Sequence, residues 1–121
     1  MPVRAIRGAT LVETNSAEVI TEAVGDLLEA MKAANHYSDD DLIAVFFTAT
    51  PDLNAISPAK AARQTQGWPD VPLMCAAEPV IDGLPYRCIR ILLQLETDMN
   101  RQQIKPVYLK GADQLRPDVA K

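Results

Sequence analysis

Two arginines lie in the middle of apolar, alternating segments, and they are the first sign of chemistry in this sequence. In "RCIRILLQLE" the two-residue period of a strand places Arg90 on the face of Cys88, Leu92 and Gln94. The opposite face is continuously apolar. The same count in "VRAIRGATL" places Arg7 among apolar neighbours on one face. Because an unpaired charge is very costly to bury, each arginine requires an anionic partner from the protein or from a ligand.

Glu78, at the end of "VPLMCAAE", can pair with either arginine. In one interpretation, one arginine pairs with Glu78 structurally and the other reaches solvent past a sheet edge. In the other, Lys60 and Arg63 contribute as well, because residues three apart share one face of a helix. Basic residues on exposed helices usually serve solvation only. Taken together, however, the basic groups outnumber Glu78, and a small dianion is the simplest partner, since guanidinium groups match carboxylates bidentately.

The pattern of elements predicts an α/β (α+β) domain. We expect a mixed sheet of about five strands, with one long and one short helix on it. The long helix is predicted to begin at an Asn15 cap with Glu18 in the reciprocal position and to run to about Ala34. The short helix starts at Pro58 and ends at Gly67. The strands are predicted at 3–12, 41–50, 71–78, 87–97 and 106–111. The "DGLP" turn predicts that the third and fourth strands pair antiparallel.

Composition limits the classes of protein. A chain of 121 residues with 48% hydrophobic content fits one domain, 1–121. A net charge of −4 provides no positive field for nucleic acid. No segment approaches the ~20 apolar residues of a membrane span, and the N-terminus does not resemble a signal peptide. We therefore expect a cytoplasmic protein that binds neither nucleic acid nor membrane, with its two cysteines reduced.

Cofactor and metal sites are not predicted. The five glycines are too scattered for a dinucleotide fingerprint or a phosphate-binding loop. The single histidine, His36, has no partner at metal-ligand spacing. The acidic run Asp39–Asp41 suits a cation site, but a short turn capped by Ser38 with three solvated carboxylates explains it at least as well.

Four segments in order carry a resemblance to a known family: "IRGATLVE", "TATPDLNAISPAKAAR", "CAAEPVIDGLPYRCIR" and "VYLKGADQLRPD". They resemble the monofunctional, trimeric (AroH-type) class of chorismate mutase, over residues 3–118. This resemblance implies conversion of chorismate to prephenate in phenylalanine and tyrosine biosynthesis, without a cofactor. It also implies a homotrimeric pseudo-α/β-barrel with active sites at the three subunit interfaces.

The resemblance further implies roles for individual residues. Arg7 is expected to bind a substrate carboxylate, and Tyr108 to hold the same end of the substrate. Arg90 is expected to lie against the ether oxygen. Glu78 and Cys75 are expected to contact the ring hydroxyl.

Other implied roles belong to a second subunit and to the C-terminal tail. The neighbouring subunit is expected to supply Ala59, Lys60 and Arg63 to each site. Leu115 and Arg116 belong to a tail, from about residue 112, that is expected to be flexible and to close over the pocket.

Two positions differ from the family pattern. Met74, among the expected substrate contacts, stands where a small hydroxyl residue is common, and Ser57 stands where a large aromatic residue is frequent. These differences affect the apolar wall and one backbone-side contact rather than the charged centre. Cys88 is expected to be a small core residue.

A second hypothesis belongs to another class of protein: a trimeric module of similar shape that binds small carboxylates or interacts with partners without catalysis. Arg7 and Arg90 suit it equally well. Glu78 and Cys75 beside Arg90 favour the mutase, because a simple carboxylate binder gains nothing from an acid near its basic pocket.

Overall fold

The computed structural model describes residues 2–68 and 70–118 of the chain, and its elements follow the predicted order. The strands are β1 (Val3–Leu11), β2 (Leu42–Ala49), β3 (Leu73–Ala77), β4 (Cys88–Glu96) and β5 (Val107–Leu109). The helices are α1 (Ala17–Asn35) and α2 (Pro58–Gln66). Short 3₁₀ turns occur at Asp39–Asp41, Arg101–Gln103 and Ala112–Leu115. The predicted α+β content, with one long and one short helix, is confirmed.

The five strands form one mixed sheet in the order β3-β2-β4-β1-β5. β4 pairs antiparallel with both β1 and β2, whereas β3 is parallel to β2 and β5 is parallel to β1. The predicted antiparallel pairing of β3 with β4 is therefore wrong, because β2 lies between them. The "DGLP" turn lies inside a ten-residue connection, 78–87, which is too long to impose a tight hairpin. β4, long and strongly apolar, gains two hydrogen-bonded neighbours at the centre of the sheet.

The ends of the helices follow from local capping. Ser16, not Asn15, is the N-cap of α1, and its side chain accepts a hydrogen bond from the Val19 N–H, so the predicted Asn15 cap is wrong. Ser57 caps α2, and Gly67 ends it in the left-handed conformation (φ 67°), as the sequence predicts. Glycine adopts this conformation without the steric cost that a Cβ imposes.

Both helices cover the same face of the sheet, and the core lies between them. The alternation predicted for β4 is confirmed: Ile89, Ile91, Leu93 and Leu95 are buried, while Arg90 and Leu92 are exposed. Cys88 is the exception on the exposed side, since it is buried. The other face of the sheet, hereafter the open face, has no helix over it among the described residues and exposes Val3, Leu92 and Met74.

The acidic run Asp39–Asp41 forms a short 3₁₀ turn just before β2. Ser38 caps the Asp39–Asp41 turn, and its own N–H donates to the Asp41 carboxylate, which agrees with the interpretation of this acidic run as a capped turn.

Within residues 2–68 and 70–118, no helix is long and apolar enough to cross a membrane.

Buried Asn35, at the end of α1, fixes the segment that leads into β5. Its side-chain amide donates to the carbonyl oxygens of Met31 and Lys105, both at 3.0 Å, and accepts from the Lys105 N–H at 2.8 Å. Exposed Asn15 makes an analogous bridge to the backbone N–H groups of Asn54 and Ala55. The two asparagines thus make similar hydrogen bonds to the backbone, but Asn35 is buried and Asn15 is exposed.

We expect Asn35→Ala to lower the free energy of unfolding by about 2–3 kcal/mol, because it removes three hydrogen bonds of a buried amide, two of them to the backbone of Lys105. Asn15→Ala should cost less than about 1 kcal/mol, because water can replace its amide. Urea denaturation of both variants measures the difference. Equal losses would show that burial does not determine the value of these bonds.

Candidate active site

Arg90 and Glu78 form a bidentate ion pair on the open face. Arg90 donates through Nε to Glu78 Oε2 at 3.0 Å and through Nη2 to Oε1. Arg90 is the third residue of β4, the central strand of the sheet, and the strand register places it opposite Thr48 on β2 and Ala9 on β1. Glu78 directly follows β3, and its N–H donates to the Ala49 carbonyl at 2.9 Å. The partner that the sequence requires for Arg90 is therefore Glu78.

The pair is asymmetric in its exposure to solvent. The Glu78 side chain is 7% exposed and that of Arg90 is 46% exposed. Hydrogen bonds from Arg90 lower the pKa of Glu78, although burial acts in the opposite direction. The bond to Glu78 likewise raises the pKa of Arg90. Both groups are thus charged at neutral pH, and Arg90 Nη1 has no hydrogen-bond partner within the described part of the chain.

Thr48 is a third member of this cluster that the sequence did not single out. Its hydroxyl donates to Glu78 Oε2, the oxygen that also accepts from Arg90 Nε. Strand alternation alone assigns Thr48 to a face but not to a partner. The contact depends on the β2–β4 pairing, so it could have been found only after the sheet order was known.

A basic hollow lies on one side of the pair and has a volume of about 370 Å³. Arg7, Tyr108 and Arg116 line it together with Arg90. Arg7 and Tyr108 reach it from neighbouring strands, since Ala9 of β1 is in register with Tyr108 of β5. Three guanidinium groups converge here in a protein of net charge −4, which favours an anionic ligand.

Leu115 and Arg116 come from the segment after β5. Leu115, at the end of the last 3₁₀ turn, lines the basic hollow. Arg116 pairs with Asp118 through Nε and Nη2 at 3.0 and 2.8 Å, and this contact lowers the pKa of Asp118 to about 2. The pair is exposed. Flexibility of this tail and its closure over a substrate stay predictions.

An apolar hollow of about 200 Å³ lies on the other side of the ion pair. Its wall is mainly the loop after Glu78. The hollow is also bordered by Glu78, Cys88, Arg90 and Leu115. Cys88 is buried, and burial raises the pKa of its thiol to about 11. Cys88 is therefore an un-ionised, small core residue, as expected.

The remaining five expected site residues do not line either hollow: Met74, Cys75, Ala59, Lys60 and Arg63. Cys75 is in register with buried Phe47, and its Sγ accepts from the Ala59 N–H at 3.3 Å at the start of α2. It thus lies on the opposite face of the sheet from Glu78. Met74, opposite Phe46, is on the open face and exposed.

Lys60 and Arg63 are exposed on α2, and Ala59 is buried. One chain thus brings together Arg7, Arg90, Glu78, Tyr108, Leu115 and Arg116, and leaves the other five apart. The roles of all these residues stay predictions. Within residues 2–68 and 70–118 there is no cluster of three or more histidine, cysteine, aspartate or glutamate side chains that could hold a metal ion.

Comparisons with known proteins identify the family of the chain. The family described as chorismate mutase type I matches residues 3–119. The chain belongs to the chorismate mutase type I family. It is 41% identical to chorismate mutase AroH of Bacillus subtilis (strain 168) over 120 residues, which cover 99% of this chain and 94% of that protein.

Two further relatives support the assignment. Chorismate mutase AroH of Thermus thermophilus is 44% identical over 118 residues, covering 97% of this chain and 96% of the relative. A chorismate mutase structure from Clostridium thermocellum superposes with a TM-score of 0.87 at 43% identity, covering 91% of this chain and 97% of that one. The protein is therefore an isomerase of the chorismate mutase class.

The Thr48 hydroxyl can be tested through the pH dependence of stability. In unfolded chains a glutamate titrates near pH 4.3, and a lowered native pKa adds stability above that pH, which is lost as the pH falls. Thr48→Val removes a donor to ionised Glu78 and brings its native pKa closer to the unfolded value. The gain in unfolding free energy between about pH 3 and pH 7 should therefore be smaller in Thr48→Val than in the wild type.

Urea unfolding across this pH range measures the effect. Thr48→Ser, which keeps the hydroxyl, should behave as wild type. Thr21→Val is the matched control, because the Thr21 hydroxyl donates to the Ala17 carbonyl in an exposed hydrogen bond on α1. A pH dependence of Thr48→Val identical to that of Thr21→Val would contradict the assigned contact.

Proposed function

We propose that this protein converts chorismate to prephenate, with Arg90 as the electrostatic catalyst. The observation that carries the proposal is the Arg90–Glu78 pair, hereafter the catalytic pair, held at the centre of a rigid sheet beside the basic hollow. Glu78 uses Nε and Nη2 of Arg90, so Nη1 remains available to a ligand. A cation fixed in this way needs little reorganisation when charge develops next to it.

The reaction suits a site without a nucleophile or a general base. In a [3,3]-sigmatropic rearrangement of chorismate, the C–O bond breaks ahead of C–C bond formation. Negative charge then develops on the ether oxygen, and positive charge develops on the ring. A guanidinium beside that oxygen stabilises the transition state more than the ground state, and this difference accelerates the reaction.

The two hollows suit the two parts of such a substrate. Arg7 in the basic hollow is suited to a carboxylate, because a guanidinium group binds one bidentately. The Tyr108 hydroxyl can donate one further hydrogen bond there, and Arg116 adds positive charge. Holding the enolpyruvyl group in its reactive conformer contributes a further entropic advantage. The apolar hollow limits hydration on the other side of the catalytic pair, where the ring lies in this proposal.

Glu78 can contact the ring hydroxyl while it remains paired. A carboxylate has about four acceptor positions. Arg90 occupies two of them and Thr48 a third. The fourth is free to accept the hydroxyl hydrogen, which orients the ring relative to the guanidinium without a proton transfer.

We further propose that the active unit is a homotrimer whose sites are completed by a neighbouring subunit. The open face is exposed in one chain, although it carries apolar side chains such as Leu92 and Val3. Lys60 and Arg63 on α2 are not at the basic hollow of their own chain. Ala59 belongs to the same helix, and its N–H donates to the Cys75 thiol. We assign Ala59, Cys75 and Met74, like Lys60 and Arg63, to the site of the adjacent subunit. A cytoplasmic location stays a prediction of the sequence.

Kinetics of Arg90 variants separate catalysis from simple carboxylate binding. We expect Arg90→Lys to lower kcat/KM by at least ~10²-fold, because lysine lacks the planar fork and the reach, and the loss should fall mainly on kcat. Arg90→Ala should cost more. Arg63→Ala should cost distinctly less. Since Arg90→Ala also leaves Glu78 buried without its cation, circular dichroism must verify its folding. A folded Arg90→Ala enzyme with wild-type kcat would exclude the mechanism.

Mixed subunits test the shared site. Trimers can be assembled from equal amounts of Arg90→Ala chains and Lys60→Ala/Arg63→Ala chains. If each site takes Arg90 from one subunit and Lys60 and Arg63 from its neighbour, about a quarter of the sites contain all three wild-type side chains. Co-refolding the two variants should therefore restore activity to a similar fraction of the wild-type level. Each variant refolded alone is the control. Activity no higher than the mean of the controls, in a mixture that sediments as a trimer, would place each site within one chain.

A further inference from the structure

The turn that follows β2 holds both ends of an exposed apolar loop, residues 79–87. At the start of the loop, the Glu78 N–H donates to the Ala49 carbonyl at 2.9 Å. At its end, the Arg87 N–H donates to Asp52 Oδ2 at 2.9 Å, and the Cys88 N–H donates to Thr50 Oγ1 at 3.0 Å. One short segment, 49–52, therefore anchors the loop at each end.

Thr50 and Asp52 act as one unit. The Thr50 hydroxyl accepts from Cys88 and donates to Asp52 Oδ1 at 2.5 Å, so its single proton is directed to the carboxylate. The Thr50 N–H in addition donates to the Cys88 carbonyl at 3.0 Å. Loss of the Thr50 side chain therefore removes the hydrogen bond to Cys88, the first residue of β4. Loss of the Asp52 side chain removes the hydrogen bond to Arg87, the residue before it.

Arg87 shows that this junction is under strain. Its φ of 48° lies in the left-handed region, which costs a non-glycine residue about 1–2 kcal/mol. Its Nε donates to the Val12 carbonyl at 3.0 Å, and its carbonyl accepts from the Val12 N–H at 2.7 Å. Asp52 on one side and Val12 on the other thus hold Arg87 in a conformation that it does not favour by itself.

The loop has little packing of its own to hold it in place. Val80 and Tyr86 are 81% and 78% exposed, and Ile81 and Leu84 are exposed as well. Segments with few buried contacts open at low free-energy cost. The loop nevertheless forms the main wall of the apolar hollow, and its two ends lead directly to Glu78 and, three residues after Arg87, to Arg90.

We propose that Thr50 and Asp52 are positioning residues for the catalytic pair, acting as a latch that holds the loop 79–87 and the start of β4 in place. This inference rests on the proposed function. Both residues line the apolar hollow, but the role proposed for them is to hold the loop rather than to touch the reacting atoms. The latch keeps Glu78 and Arg90, which lie on either side of the loop, at one fixed separation, and misplacement of catalytic groups by about 1 Å can cost up to ~10²-fold in rate.

Kinetics test whether the latch positions the pair. Asp52→Ala and Thr50→Val should each lower kcat by about 10-fold with a smaller change in KM, since the Arg7 side of the basic hollow is unchanged. Thr50→Ser, which keeps the hydroxyl, should retain most of the wild-type kcat. The matched control is Asp41→Ala, because Asp41 accepts a backbone N–H from Ser38 at 3.0 Å at the other end of β2. It should keep the wild-type kcat.

A labelling experiment tests the same latch without activity. In a Cys75→Ser background, the only remaining thiol is buried Cys88, whose N–H is held by Thr50. Its reaction with a thiol-specific chromogenic disulfide should be several-fold faster in Asp52→Ala and Thr50→Val than in the background protein or in Asp41→Ala, because loop opening exposes it.

The outcomes are distinguishable. Wild-type protein without mutase activity would overturn the proposed function, and with it the catalytic role of the latch, while labelling would still report whether Thr50 and Asp52 hold the loop. Unchanged labelling and unchanged kcat in both variants would overturn the latch itself. Faster labelling with unchanged kcat would show that the loop is held but that the catalytic pair does not depend on it, which would also overturn the inference.

Discussion

The pairing of Arg90 with Glu78 is the constraint around which the described site is organised. A guanidinium on a central strand requires an anion, and Glu78 supplies it from the end of an edge strand. The two residues come from strands that do not touch, so the pair exists only because β2 lies between β3 and β4. Thr48 on that intervening strand completes the connection. The sheet order and the electrostatics of the site therefore depend on each other.

The two faces of the sheet have different roles. The helix-covered face buries the large aliphatic side chains and stabilises the fold. The open face carries the charged and hydrogen-bonding groups, and it exposes them beside apolar side chains. A small domain can place three guanidinium groups near one another because their repulsion is offset by Glu78, Asp118 and solvent rather than by the core.

The sequence predicted local features better than pairings. The alternation of β4 identified its buried face, and Gly67 identified the end of α2, because both depend on neighbouring residues only. The partner of β3 could not be predicted in this way, since a turn signal in a ten-residue connection does not determine which strand lies alongside. The choice between Ser16 and Asn15 as N-cap depended on a tertiary contact, the bridge from Asn15 to the 54–55 backbone. Thr48 was missed for the same reason as the pairing.

The position of β4 in the sheet also has a consequence for the order of folding. β1 and β2 are the first strands synthesised, yet both pair with β4, whose residues begin 77 positions after the end of β1 at Leu11 and 39 after the end of β2 at Ala49. Contacts between residues so distant in the chain slow folding, because loop-closure entropy is lost before they form. Until Cys88–Glu96 has left the ribosome, the earlier strands lack their common neighbour. The chain is therefore committed to its sheet only late in synthesis, when the strand that carries Arg90 arrives.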